Sequence, residues 1–447
     1  MRGMRVLSLA AAVAATSLTF AATAEATTIE RVVSPGGIEA WLVHERAVPM
    51  IAVEFAFVGG AVQDLSGKAG TAALTASLLD AGAGDLDSTA FSDRLERKAI
   101  EMGFSAQRDT LHGTMRTLTE NRDDAFELLR LAVTAPRFDA KDVEISRSQI
   151  LSLLRRETTS PTDIASRRWW ETAFEGHPYG RPVNGTSESI SSISIADLKS
   201  YAHRIIARQN LKVAVVGDID AETLKVLLDR TFGALPEKPE LYSIANVAPR
   251  GLGRRIEVSL DVPQTVVDFG GPGIPRQDPD FMAAYLINHI LGGGSSDSRL
   301  YQEVREKRGL AYSVSDNLVW LDHAAVLLGG TATRADRAGE TVDLIEKEIR
   351  RFADNGPTAG ELIEAKRYLN SAFVLNLDSS TKIAGLLVQL QLDGFDTDYF
   401  SRRTAMIDAV TLEDARRVAK RLLDKGLLVT VVGKPQGFAS SASSKPN

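Results

Sequence analysis

The sequence repeats itself at long range, and the repeat limits the folds open to it. Ser194-Ile-Ala-Asp197 and Thr411-Leu-Glu-Asp414 each set a hydroxyl residue three positions before an acid, the pattern of a helix N-cap with its reciprocal partner. Each stretch leads into a short valine-rich run closed by glycine, Val213-Ala-Val-Val-Gly217 and Val429-Thr-Val-Val-Gly433. The spacings from acid to glycine are 20 and 19 residues. Upstream, hydrophobic periodicity gives matching orders of elements. The first copy predicts strands at 29–33, 38–43 and 51–58, helices at 68–80 and 91–102, and a hairpin of 104–108 with 111–118. Helices near 122–133, 140–158, 161–174 and 194–207 follow, then a strand at 212–216. The second predicts strands at 256–260 and 264–270, helices at 278–291 and 298–307, and a hairpin of 312–320 with 324–331. Helices near 334–354, 358–374, 380–392 and 411–424 follow, then a strand at 428–432. A repeat of about 200 residues means duplicated domains, because solenoid units run at about 20–50 residues.

The expected division is a domain over 27–235, a Pro- and Gly-bearing surface linker over 236–254, a second domain over 255–436, and a frayed Ser- and Ala-rich tail over 437–447. With 447 residues, 44% of them apolar, there is material for two cores. Ahead of these lies a leader. Arg2 and Arg5 precede an apolar run from Val6 to Ala22, and Ala24-Glu25-Ala26 offers a small-x-small cleavage site. An export signal over residues 1–26 and a periplasmic destination are expected. An uncleaved anchor is the rival reading, though the run is short for a span. No later segment is apolar enough to cross a bilayer. A net charge of -6 gives no reason to bind nucleic acid or anionic lipid. The absence of cysteine excludes disulfides, thiolate metal sites and cysteine nucleophiles.

Recognisable catalytic motifs are largely missing from the sequence. His-Glu-x-x-His, His-x-x-Glu-His and Gly-x-Ser-x-Gly do not occur, and Gly67-Lys68 lacks the upstream glycine of a phosphate loop. The six histidines, His44, His112, His177, His203, His289 and His323, are scattered. His177-Pro-Tyr-Gly180 reads as a loop whose histidine bonds backbone, with a substrate contact as the alternative. Leu291-Gly-Gly-Gly-Ser-Ser296 reads as a loop between two helices.

One longer segment carries more. Gly292-Gly-Gly-Ser-Ser-Asp-Ser-Arg-Leu-Tyr-Gln-Glu-Val-Arg-Glu-Lys-Arg-Gly-Leu-Ala-Tyr312-Ser-Val resembles the C-terminal-domain signature of the pitrilysin/insulinase-type zinc peptidases, the inverted zincins. Mitochondrial processing peptidase and bacterial two-subunit peptidases belong to that group. Gly67-Lys-Ala-Gly70, His177-Pro-Tyr-Gly-Arg-Pro-Val183, Val215-Val-Gly-Asp218 and the stretch from Pro263-Gln to Pro279 extend the likeness along most of the chain. The resemblance implies an α+β fold of two duplicated domains, each a mainly antiparallel sheet packed with helices.

In the active members, as the resemblance implies, a helix carries His-x-x-Glu-His. Its two histidines hold zinc with a downstream glutamate, and its own glutamate is the general base. Alignment on Gly67-Lys-Ala-Gly-Thr-Ala sets Ala73, Ala76 and Ser77 where His, Glu and His should stand. Methyl groups neither bind zinc nor take a proton. The family's other catalytic part is an arginine and a tyrosine seven residues apart, here Arg305 and Tyr312. Arg305 falls near a helix end that Gly309 terminates, and Tyr312 opens the next strand. The bland readings are a solvated helix charge and ordinary sheet packing. The resemblance implies a zinc-free subunit that lends Arg305 and Tyr312 to a peptide held by a homologous, zinc-motif-bearing partner. The cofactor is then expected in that partner and not in this chain. A non-proteolytic scaffold or peptide-binding protein of the same fold is the alternative, and a homodimeric peptidase with an unrecognised metal site is a third reading.

Overall fold

β-Branched residues suit a pleated, enclosed surface, and in the computed structural model both valine-rich runs become central strands. The structure describes residues 28–293, 296–375 and 377–444. The expected leader, Gly294-Ser295 of the glycine-rich loop and residues 445–447 of the expected tail lie outside them. One six-stranded sheet contains β1 (Glu30–Val33), β2 (Glu39–His44), β3 (Met50–Val58), β4 (Glu101–Ala106), β5 (Thr110–Leu118) and β6 (Leu211–Gly217), in the order β1-β2-β6-β3-β5-β4. The other contains β7 (Arg255–Ser259), β8 (Gln264–Pro272), β9 (Ala311–Trp320), β10 (Ala325–Arg334), β11 (Leu428–Gly433) and β12 (Ala442–Ser444), in the order β12-β7-β11-β8-β10-β9. The repeat is therefore present in five strands of each sheet, β2 to β6 matching β7 to β11. The outermost strands differ, β1 pairing antiparallel with β2 and β12 parallel with β7. β6 runs parallel to β2 and antiparallel to β3, as β11 runs parallel to β7 and antiparallel to β8. Mainly antiparallel sheets with helices packed on them make an α+β molecule, as expected.

Both repeat helices start as the sequence predicts. The amide of Asp197 donates to the Ser194 hydroxyl at 3.2 Å, while the Ser194 amide donates to the Asp197 carboxylate at 2.7 Å. Thr411 and Asp414 make the same pair of bonds at 3.1 and 3.2 Å. These caps open the helices Ile195–Ile205 and Leu412–Leu423, which lead to β6 and β11.

The halves exchange helices. Pro161–Ala173 belongs to the first half by sequence but packs on β8 and β11 of the second. Ser380–Leu392 belongs to the second half and packs on β3 and β6 of the first. Each exchanged helix sends one buried side-chain N–H to a central strand of the other half. Trp169 Nε1 donates to the Leu428 carbonyl at 3.1 Å, and Gln391 Nε2 donates to the Val213 carbonyl at 2.9 Å. Trp41, Val43, Ala56, Ala214 and Val216 consequently share one apolar core with the second half. The connection at 236–254 is tied to both halves. The Tyr242 amide donates to the Gln63 side chain at 2.7 Å, Val247 to the His323 carbonyl at 2.9 Å, and Gly253 to the Leu427 carbonyl at 2.8 Å.

Several local expectations differ. The helix expected at 91–102 is Ser88–Arg97, and its last turn is replaced by β4, because Met102 and Phe104 pair with Met115 and Gly113 of β5. The helix expected at 68–80 is the shorter Thr71–Ala76. Helices Ala221–Phe232 and Tyr399–Asp408 were not expected. The tail expected to fray from 437 instead places Ala442–Ser444 in parallel register with Ile256–Val258, where the open edge of β7 offers unpaired backbone groups.

Candidate functional site

Arg305 and Tyr312 are brought together, each by a local departure from regular backbone. Residues Tyr301–Glu306 form a π-helical turn, with the Lys307 amide reaching back to the Gln302 carbonyl at 3.0 Å. Gly309 ends it at φ 58°, a conformation that disfavours any side chain. β9 then carries a bulge. Val314 pairs with Thr331 and Ala311 with Thr333, so β9 holds one more residue than β10 across that interval. The Ser313 carbonyl accepts from the Thr331 hydroxyl at 2.6 Å. Without the bulge, alternation would put Tyr312 on the buried face with Val314 and Asp316. With it, Tyr312 is 85% exposed, so ordinary sheet packing does not describe it.

The Arg305 guanidinium carbon lies 5.4 Å from the centre of the Tyr312 ring and 4.8 Å from that of Tyr301. Nη1 also donates to Glu306 at 3.1 Å. The charges beside it are mutually paired, Glu303 holding both Lys307 and Arg308 at 2.6 Å. A guanidinium and a phenol thus share one open face, held together by a cation–π contact. Underneath, Asn288 Nδ2 donates to the wholly buried Asp316 at 2.5 Å, and the Asp316 amide donates to the Gly292 carbonyl at 3.1 Å. The described part of the glycine-rich loop is therefore seated on β9. A side chain at Gly292 would meet Asp316 at 2.9 Å.

The helix Thr71–Ala76 cannot hold zinc. Ala76 is buried, Ala73 half-buried, and the exposed Ser77 gives its hydroxyl to the Leu74 carbonyl at 3.0 Å. Neither methyl group nor a spent hydroxyl supplies the two imidazoles the site needs. Among the described residues no group of three His, Asp or Glu is placed to bind a metal ion. The Gly67–Gly70 motif has a structural role instead. The Asp64 carboxylate accepts from the Gly70 and Ala72 amides at 2.8 and 2.9 Å and so caps this helix. Burial pushes Asp64 up to about 7, against the pull of those amides and of Arg181. Ser189 then bonds the Ala69 carbonyl at 2.7 Å.

His177 is a loop residue bonded to backbone, through the Tyr179 amide at 3.2 Å and the Ala245 carbonyl at 3.0 Å. The more consequential member of that motif is Tyr179, which sequence reasoning passed over. Its hydroxyl donates to Asp109 at 2.7 Å and accepts from the His323 amide at 3.0 Å, while the Asp322 amide donates to Asp109 at 3.1 Å. This buried knot joins the two halves. The signal for it was Tyr179 within a motif otherwise made of turn residues.

Comparison with known proteins gives a consistent picture. A family profile described as the peptidase M16 inactive domain matches residues 192–369. An uncharacterized zinc protease of Mycobacterium bovis is 31% identical over 71% of this chain and 73% of its own length. The non-peptidase homolog YmxG of Helicobacter pylori is 27% identical over 72% of this chain and 74% of its own. Among solved structures, a peptidase M16 inactive domain from Pseudomonas fluorescens matches at 27% identity with a TM-score of 0.85. It covers 92% of this chain and 99% of that one. A protease structure from Helicobacter pylori, at 21% identity and a TM-score of 0.82, shares the fold.

Proposed function

The chain belongs to the peptidase M16 family, and on that premise we propose that it is the zinc-free subunit of a heterodimeric zinc metalloendopeptidase that degrades peptides. The observation that carries the reading is a contrast within one chain. At the positions aligned with the family's metal motif stand two methyl groups and one hydroxyl, those of Ala73, Ala76 and Ser77. Arg305 and Tyr312, by contrast, are presented to solvent on a π-turn and a bulge. Such irregularities weaken local bonding and gather at functional sites.

A homologous partner brings the zinc and the base that activate water. This chain's part is to position and to stabilise. The exposed phenol of Tyr312 donates a hydrogen bond to the carbonyl oxygen as negative charge develops on it. The Arg305 guanidinium adds positive charge and clamps a neighbouring substrate carbonyl. Each donor of this kind is typically worth about 3–4 kcal/mol of barrier. Neither group can hydrolyse a peptide alone. Residues 1–26 act as a cleaved export signal, and the complex works in the periplasm. N-terminal sequencing of the exported protein starting at Thr27 is the check.

The test is reconstitution. This chain is mixed with a zinc-motif homologue, zinc and a quenched peptide. Turnover should need both chains, and Tyr312→Phe should lower kcat about a hundredfold while leaving assembly intact. Unaltered turnover in the variant removes Tyr312 from the mechanism. A second reading, a non-proteolytic scaffold or peptide-binding protein, has the name of the Helicobacter pylori homologue in its favour. It predicts stable association with the partner and no dependence of turnover on this chain.

A further inference from the structure

A cavity of about 440 Å³ lies in the second half, between the helices Phe281–Leu291, Ser380–Leu392 and Tyr399–Asp408. It is separate from the Arg305–Tyr312 face and plays no part in the reading above. Its volume falls within the range of small-molecule pockets, about 300–1,000 Å³. Phe281, Tyr285, Phe373, Leu386 and Leu390 give it apolar walls.

Two arginines line this apolar space, and they are not equivalent. Arg276 is neutralised locally. Nε donates to Asp393 at 3.3 Å and Nη2 to the Tyr399 hydroxyl at 2.7 Å. Asp393 is held in place by Trp320 and Gln389 at 3.0 and 2.8 Å. Arg403 has no such partner. It is only 5% exposed, Nη1 donates to the Leu369 carbonyl at 3.2 Å, and its guanidinium sits 4.3 Å from the centre of the Phe373 ring. Among the described residues no carboxylate pairs with it. A guanidinium stays charged under all ordinary conditions, and a charge buried without a counter-ion is strongly unfavourable. The fold places it there regardless, one helical turn from the buried Tyr399 and Ile407. Lys382 at the same cavity adds a second cation, itself held at the rim by Asp378 at 2.9 Å.

We propose that this cavity binds an apolar carboxylate, its apolar body against the aromatic and leucine walls and its carboxylate on the Arg403 guanidinium. A planar guanidinium suits a carboxylate through paired N–H donors. The same chemistry is offered by a free fatty acid and by the C-terminus of a peptide ending in an apolar residue.

The experiment titrates the full-length chain with dodecanoate and with dodecanol, reading heat and the fluorescence of Trp320 at the cavity wall. Parallel arms use a tetrapeptide ending in leucine and its C-terminal amide. The acid should bind about tenfold more tightly than the matched neutral probe in at least one arm, the advantage of a charge-assisted bond. The arm that shows it identifies the source. Arg403→Met, similar in shape but uncharged, should bring the ratio to about one. Should that variant fail to fold, Leu386→Trp decides, since it fills the cavity from a half-buried position and should abolish acid binding without altering the far-UV spectrum. Equal binding of acid and neutral probe, absence of acid binding in both arms, an acid preference that survives Arg403→Met, or unchanged binding in folded Leu386→Trp overturns the proposal.

Discussion

A carboxyl group in the middle of a sheet must find a partner or keep its proton, and Glu54 and Asp268 keep theirs. They occupy the same place in the two repeats. Glu54 lies two residues beyond Ala52, the partner of Val216, and Asp268 two beyond Val266, the partner of Val432. Burial alone pushes each up to about 7, from 4.5 and 3.8. In the unfolded chain both ionise near pH 4, while the fold holds their protons until about 7. The folded state thus binds more protons across that window, so stability falls as pH rises through it and levels off above. The cost per group is on the order of a few kcal/mol. We expect the melting temperature to drop between pH 5 and pH 8, and Asp268→Asn to flatten the drop and to melt higher than the parent at pH 8. An unchanged slope in the variant would show that Asp268 ionises freely in the fold. The strands that carry these acids were legible as 51–58 and 264–270, but nothing in the sequence marked either acid as buried without a partner. Arg305 and Tyr312 stood out as candidates because a long motif carried them; Arg403 sits in a stretch with no motif, on a helix that the sequence did not announce.

Caps and valine runs are local signals, so elements that depend on them were read correctly, down to the reciprocal bonds of Ser194 with Asp197 and Thr411 with Asp414. What local patterns do not encode is which sheet a helix will cover. The periodicity of Pro161–Ala173 shows an apolar face and says nothing of the partner, which proves to be β8 and β11 of the other repeat. The π-turn and the bulge were equally hidden, because both are set by tertiary pairing and not by propensity. The exchanged helices should therefore matter more than the caps. Trp169 is 1% exposed and carries the bond to Leu428. Trp169→Ala should cost about 3–5 kcal/mol, whereas Thr411→Ala, which removes one cap, should cost about 0.5–2 kcal/mol. Urea unfolding measures both. If the tryptophan variant proves the milder of the two, the exchanged helix is a surface ornament and not a structural tie.

Duplication at the level of sequence suggests two bodies on a string, and reciprocal exchange turns them into one. The face of the first sheet that bears Trp41, Val43, Ala56 and Ala214 is enclosed by Ser380–Leu392, a helix that arrives about 160 residues after β6 ends. Removing the second half would expose that face as an apolar patch of the kind that drives aggregation. The connection at 236–254 contributes the covalent link, but the buried contacts do not need it. Tyr179, Asp109 and the amides of Asp322 and His323 fasten the halves with polar bonds, and the exchanged helices fasten them with apolar area. A protease site engineered after Pro239 and cut in the purified protein should accordingly leave the fragments in one particle, eluting together by size exclusion with an unchanged far-UV spectrum. Heating should then give one transition at a lower temperature that depends on protein concentration, because unfolding has become dissociation. The first half expressed alone should be insoluble. Fragments that separate on cleavage and melt independently would mean that the halves are autonomous domains, and that the exchanged helices fold back onto their own repeats.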